Sequence, residues 1–146
     1  MPIKKKDLDP YFGIPLLFLN YICAKCKKIG SFSVPTKCGC KASRQFSSKS
    51  VICNQIRFAS IREAYRYSQL MFCQERLKII SNLEIQPRFK INVNGIDVFS
   101  YISDFQFIEG GTWVVEEVKG RETSIYKLKL KCFKAMYPNL RIRIIK

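Results

Sequence analysis

The sequence predicts a mixed α/β fold in the order helix, three-strand meander, helix, strand, and three observations carry that reading. The turn pairs Asn94-Gly95 and Gly110-Gly111 interrupt runs rich in β-branched and aromatic residues, the pattern of two consecutive hairpins. Helix-capping serines, Ser60 and Ser124, open the stretches on either side of that meander. With 146 residues, 47% hydrophobic and 13% aromatic, the chain has about the length of one domain and enough apolar surface for a core.

Each element has a local cause. Ser60 with Glu63 three positions later forms a capping-box pattern, and the first helix is expected from Ser60 to Ile80. Leu83 to Val93 reads as a strand, with Pro87 marking an edge or a bulge because it has no N–H to give to a ladder. Asn94-Gly95 turns the chain into a second strand, Ile96 to Glu109. Gly110-Gly111 turns it again into Thr112 to Lys119. Ser124 caps a helix running to Met136, which Pro138 stops, and Leu140 to Ile145 is a final strand. Residues 1–50 differ, with a cysteine cluster, a Ser/Lys-rich stretch from Lys41 to Ser50 and little periodicity. The expected division is 1–50 and 51–146.

Lys and Arg number 26 against 11 acids, with no histidine, for a net charge of +15. This excludes histidine-based triads, imidazole proton shuttles and histidine-ligated metals. Such an excess points to a polyanionic partner, nucleic acid before membrane. The apolar run Ile14 to Ile22 is broken by Pro15 and Asn20 and is too short to span a bilayer. Asp7, Asp9 and Pro10 separate it from Lys4-Lys5-Lys6, against the pattern of a signal peptide. A soluble, intracellular, cytoplasmic protein is expected.

Seven cysteines are an odd number. Cys23-x2-Cys26, eleven residues, then Cys38-x-Cys40 suits a closed, structural zinc site of four cysteines; the alternatives are buried free thiols or two disulfides. Gly30 is read as relieving the tight turn after the first pair. Cys53, Cys73 and Cys132 are read as core thiols. Lys27, Lys28 and Arg44, with Lys25, Lys37 and Lys41, are candidates for phosphate contacts.

A two-residue turn at Gly110-Gly111 puts Phe107 opposite Val114 and Asp104 opposite Glu117. Side chains alternate along a strand, so Lys119 shares the face of Glu117 while Glu116 points away. Facing carboxylates destabilise a sheet, and two of them beside an amine make a site for a hard divalent cation. Glu63 lies central to an apolar helical stripe, where a carboxylate is costly unless capped, paired or metal-bound. Both the cap and the ligand reading stand at this level.

With Glu63 upstream, Asp104 and then Glu117-Val118-Lys119 resemble the PD-(D/E)XK nuclease superfamily. More narrowly, the segments Phe58 to Tyr67, Leu83 to Phe89, Tyr101 to Phe105, Val114 to Gly120 and Tyr126 to Lys129 are similar to a small phage-borne branch of largely unknown function. The resemblance covers residues 51–146 and implies a restriction-endonuclease-like αβββαβ core carrying a small N-terminal zinc-binding extension. It implies that Asp104, Glu117, the Val118 carbonyl and Glu63 hold Mg²⁺ (or Mn²⁺), with Lys119 beside the attacking water. Ser103 stands where the superfamily usually has proline. Gln86 is a further candidate for a polar contact at the site. Tyr126, Lys129 and Lys131 are candidates for contacting the DNA backbone, against the simpler reading of a solvated helix face.

The function these residues lead to is a Mg²⁺-dependent endodeoxyribonuclease, structure-specific for branched or junction DNA. It would resemble Holliday-junction resolvases of phage recombination or repair, and work as a homodimer without membrane attachment, in the host cell if phage-encoded. Two alternatives are a non-catalytic zinc-containing DNA-binding protein on a nuclease-like fold, and an RNA-processing nuclease, since backbone contacts say little about the sugar.

Overall fold

A computed structural model describes residues 20–31, 40 and 50–146. The protein is mixed α/β, mostly strands with two helices, and forms two compact units, Met1–Cys73 and Gln74–Lys146. This division falls after the first helix, whereas composition suggests residue 50. No helix among the described residues is long and apolar enough to cross a membrane.

The first unit contains β1 (Asn20–Cys23), β2 (Ile29–Ser31), β3 (Val51–Cys53), β4 (Ile56–Phe58) and helix α1 (Ile61–Phe72). The strands form one antiparallel sheet in the order β2-β1-β3-β4. The sequence does not announce these hairpins, because strands of three or four residues are too short to show alternation. Asn54 and Gln55, with φ of 48° and 66°, make the β3–β4 turn without glycine. Helix α1 packs on β3 and β4: the Phe58 and Tyr67 rings meet tilted by 33° with centroids 5.0 Å apart, and Ser68 Oγ lies 3.2 Å from Cys53 Sγ. The serine cap forms as expected, but the Glu63 carboxylate returns to the Ser60 hydroxyl and Ala59 N–H rather than to the Ser60 main chain. Glu63 N–H donates to Ser60 Oγ at 3.1 Å and the Ser60 hydroxyl donates back to Glu63 Oε1 at 2.9 Å. The helix is shorter than expected, ending at Phe72 and followed by one wide π turn, Cys73–Leu77. Lys78 then takes a left-handed φ of 56°, which no helix continues, and the chain enters a strand at Ile80.

The second unit holds β5 (Ile80–Ile85), β6 (Arg88–Val93), β7 (Ile96–Ile102), β8 (Phe105–Glu109), β9 (Thr112–Val118), α2 (Ser124–Met136) and β10 (Arg141–Ile145). The three-strand meander is present, but its first two strands are each broken. Gln86 has a φ of 52° and Pro87 offers no N–H, so the first strand stops and restarts. The second breaks at Ser103-Asp104 opposite. Main-chain bonds from Gln86 N–H to Asp104 O (2.9 Å) and Ser103 N–H to Pro87 O (3.3 Å) bridge the break. The result is a bent hairpin: β6 pairs with β7 at its tip, while β5 pairs with β8 in a four-stranded sheet of order β10-β9-β8-β5.

Both expected turns are made by left-handed residues, Asn94 (50°) and Gly95 (84°), then Gly110 (56°) and Gly111 (78°). The second sets the register Phe107↔Val114 and Phe105↔Glu116 that its length predicts. β10 runs parallel to β9 across the α2 crossover. Thr123 rather than Ser124 caps α2, its hydroxyl accepting from Tyr126 N–H at 3.2 Å. Phe133 of α2 is fully buried among Phe89, Ile91, Tyr101 and Val115, with Ile142 packed against them. Each of these large side chains contributes on the order of 1.5–3 kcal/mol by burial.

Candidate functional site

Alternation along β9 separates its two glutamates. Both are buried, yet they serve opposite faces of the sheet. Glu116 meets Arg143 of β10 at 3.5 Å, and Arg143 also pairs with Glu109, closing a polar network within the sheet. Glu117 points to the α2 face: its Oε1 accepts from the Tyr101 hydroxyl at 2.6 Å and its Oε2 lies 3.0 Å from Lys119 Nζ. Strand parity therefore selects the glutamate that stands beside the lysine.

Asp104 does not pair across the ladder with Glu117, as the hairpin arithmetic proposed. The last β8–β9 pair is Phe105↔Glu116, and Asp104 sits in the break just before it. Its Oδ2 instead accepts from Val118 N–H at 2.6 Å. The carboxylate still lies beside the acid–lysine pair, on the N–H of the residue between them, and its charge acts on Lys119. Burial alone would lower the Lys119 amine, but the Glu117 bond and charge, helped by Asp104, outweigh it and hold the amine above its usual value. Its ammonium lies over the Tyr126 ring, 5.1 Å from the centroid. Burial, then the bond to Glu117, pushes the Tyr101 phenol well up. Tyr126 is also raised, by burial first and by the Glu117 charge second. Both phenols thus stay neutral beside the carboxylate.

Tyr101, Glu117, Lys119 and Tyr126 line a cleft of about 300 Å³. Ser100, Ile102, Thr123, Ile125 and Lys129 complete its lining. Of the residues expected to touch a nucleic-acid backbone, Tyr126 and Lys129 lie at this cleft, Lys129 with its ammonium 5.3 Å from the Phe99 ring centroid. Lys131 is exposed on α2 and does not line it. Gln86 is beside the site through its main chain, which bonds to the Asp104 carbonyl. Tyr101 is the residue sequence reasoning missed. Its signal is a tyrosine on the inward side of β7, where a buried hydroxyl needs a partner.

Glu63 lies in the first unit and has both carboxylate oxygens engaged at the start of α1, since Oε2 accepts from Ala59 N–H at 3.2 Å while Oε1 serves Ser60. The capping reading is the one its contacts express.

The first unit brings three cysteines together. The Sγ atoms of Cys23, Cys26 and Cys40 all lie within 4.8 Å of one another, the one set of three such metal-type ligands among the described residues. Cys38 and Arg44 lie outside the described residues. The turn that gathers Cys23 and Cys26 is made by Lys27 (φ 61°), whose N–H donates to the Cys23 carbonyl at 3.0 Å. Gly30 does not relieve that turn. It sits in β2, where an added Cβ would fall 2.5 Å from the Tyr21 ring, so its role is to admit the tyrosine. Lys27 and Lys28 are exposed on this knuckle. Three thiolates at this spacing are able to hold a metal ion.

Residues 43–146 match the model of a family described as a protein of unknown function, DUF1064, and the chain belongs to that family. No curated protein and no solved structure matches the chain.

Proposed function

We propose that this DUF1064 chain is a divalent-metal-dependent endonuclease acting on DNA, with its reaction centre at Asp104, Glu117 and Lys119. The observation that carries the proposal is the convergence of two acids and one amine on the end of β9: Glu117 and Lys119 line the cleft 3.0 Å apart, and Asp104, in the break before β8, bonds to the N–H of Val118 between them. The three groups together carry one net negative charge in a chain of +15. Two carboxylates, with the Val118 carbonyl that the resemblance adds, would form an all-oxygen donor set, which suits Mg²⁺ or Mn²⁺. When bound, the ion supplies Lewis-acid activation of a phosphodiester and of a water.

The remaining chemistry belongs to the chain. Glu117 sets the position of Lys119, and Lys119 offers a charged donor to the attacking water or to the oxygens of the phosphate in the transition state. Lys129 and Tyr126, at the cleft, would hold the adjoining backbone. Gln86 would keep Asp104 in place through the main-chain bond that spans the bend. Glu63, committed to its cap, is left out of the proposed centre. The order helix, meander, helix and parallel strand supports a restriction-endonuclease-like core. Branched DNA and a homodimer remain part of the proposal through the same resemblance.

The cysteine cluster supports a second metal of a different kind. We propose that Cys23, Cys26 and Cys40 bind zinc, with Cys38 the fourth ligand by its spacing in the sequence. All ligands would be protein thiolates, so this site is structural. The decisive experiment incubates the chain with Mg²⁺ and linear, flapped, four-way-junction and RNA substrates. Cleavage that stops with EDTA and is lost in Glu117→Gln and Lys119→Ala supports the proposal. Absence of cleavage on every substrate, or cleavage untouched by both substitutions, overturns it.

A further inference from the structure

Tyr101 ends the inward side of β7, two residues before the break at Ser103-Asp104, and is only 3% exposed. Its ring stacks on Phe133 with centroids 4.7 Å apart and planes 29° apart, and Phe133 in turn meets Phe89 edge-on at 5.0 Å. Packing from α2 and β6 therefore seats the ring. From there the hydroxyl donates to Oε1 of Glu117 at 2.6 Å, a residue only 1% exposed. A bond this short between a phenol and a carboxylate belongs to the strong, charge-assisted class.

The terminal torsion of a glutamate is broad and two-fold, so an unrestrained carboxylate samples many planes. At Glu117 one oxygen is held by a phenol anchored in the aromatic core and the other faces Lys119. We infer that Tyr101 is a positioning residue that orients the Glu117 carboxylate for its divalent cation. This rests on the reading of Asp104, Glu117 and Lys119 as a metal-dependent centre. Outer-shell partners of metal-binding carboxylates typically matter by about 10–100-fold in affinity or activity. A tyrosine whose hydroxyl was merely satisfied in the core would alter stability and leave metal binding unchanged.

Tyr101→Phe keeps the ring and its stacking while removing the donor. The 146-residue chain, prepared with zinc, is titrated with Mg²⁺ by calorimetry, and cleavage is followed against Mg²⁺ concentration; thiolate sites do not compete for this hard ion. The expected result is a Mg²⁺ dissociation constant raised by about tenfold or more, with cleavage regained in part at saturating Mg²⁺. Wild-type Mg²⁺ affinity in Tyr101→Phe overturns the inference. Should that variant not fold, Phe133→Leu loosens the seat of the ring and must weaken Mg²⁺ binding in the same direction; unchanged binding there is equally fatal. Glu117→Gln separates the two levels. If it abolishes Mg²⁺-dependent cleavage while Tyr101→Phe binds Mg²⁺ as wild type, only the role of Tyr101 falls. If Glu117→Gln cleaves as wild type, the nuclease reading itself falls.

Discussion

The Asp104 carboxylate accepts a hydrogen bond from the main-chain N–H of Val118 at 2.6 Å, so the acid that precedes β8 is tied to β9 between Glu117 and Lys119. A single bond thereby fixes the distance between the break in one strand and the acid–lysine pair on the next. Substitutions of Asp104 should separate this structural duty from any chemical one. Asparagine keeps an oxygen to accept from Val118, and alanine does not. Asp104→Ala is expected to lose about 1–3 kcal/mol in denaturant unfolding, the cost of an unpaired main-chain donor. Asp104→Asn should stay near wild type in stability while losing Mg²⁺-dependent cleavage.

The two adjacent glutamates should behave as opposites. Glu116→Gln weakens the contact with Arg143 inside the sheet and is expected to cost about 1–3 kcal/mol, with cleavage per folded molecule retained. Glu117→Gln should abolish cleavage with a smaller loss of stability. Urea midpoints and cleavage rates measured on the same preparations check the contrast, and a dead Glu116 variant with a live Glu117 variant would reverse the assignment.

Alkaline pH should unfold the protein through the site. Tyr101 and Lys119 both hold their protons more tightly when folded than their ordinary values of 10.0 and 10.5. The folded state then binds more protons than the unfolded state above about pH 10, so stability falls as pH rises. Below that range their contribution is fully present. Without added divalent cation, Tyr101→Phe is expected to flatten the decline between about pH 9 and pH 11 on the order of one proton's worth of slope. An unchanged slope in thermal melts across that window would refute the coupling.

Removal of the cysteine-bound metal should act on the first unit. Cys23→Ser is expected to take the zinc content from about one ion per chain to near zero, measured by emission spectrometry. Chelation should unfold the β1–β2 hairpin, whose short strands bury few side chains, seen as loss of amide protection. Zinc-free protein with intact hairpin protection would make these cysteines ordinary thiols.

Much of the second unit was legible from local signals. Paired turn residues with left-handed φ specify two hairpins whatever lies around them, and a two-residue turn dictates the register that follows. Period-two alternation then sorts Glu117 from Glu116 by counting alone. The cap at Ser60 and Glu63 is equally local: the bond from Glu63 N–H to the serine hydroxyl forms as expected, while the carboxylate returns to the serine hydroxyl and to Ala59 N–H.

The breaks at Gln86-Pro87 and Ser103-Asp104 were not legible as such, because a strand bends in answer to what packs across it. The hold of Tyr101 on Glu117 was hidden for the same reason: a hydroxyl and an acid sixteen residues apart meet only after Phe133 from α2 has filled the space beside the ring. Sequence alone determined the order helix, meander, helix, strand over residues 61–146, the geometry of the two turns and the face of each β9 residue. Tertiary structure decided where the strands bend, which main-chain N–H holds Asp104 and which phenol holds Glu117. The division follows from range: turns and alternation are set by covalent neighbours, whereas side-chain partners are set by packing between segments distant in the chain.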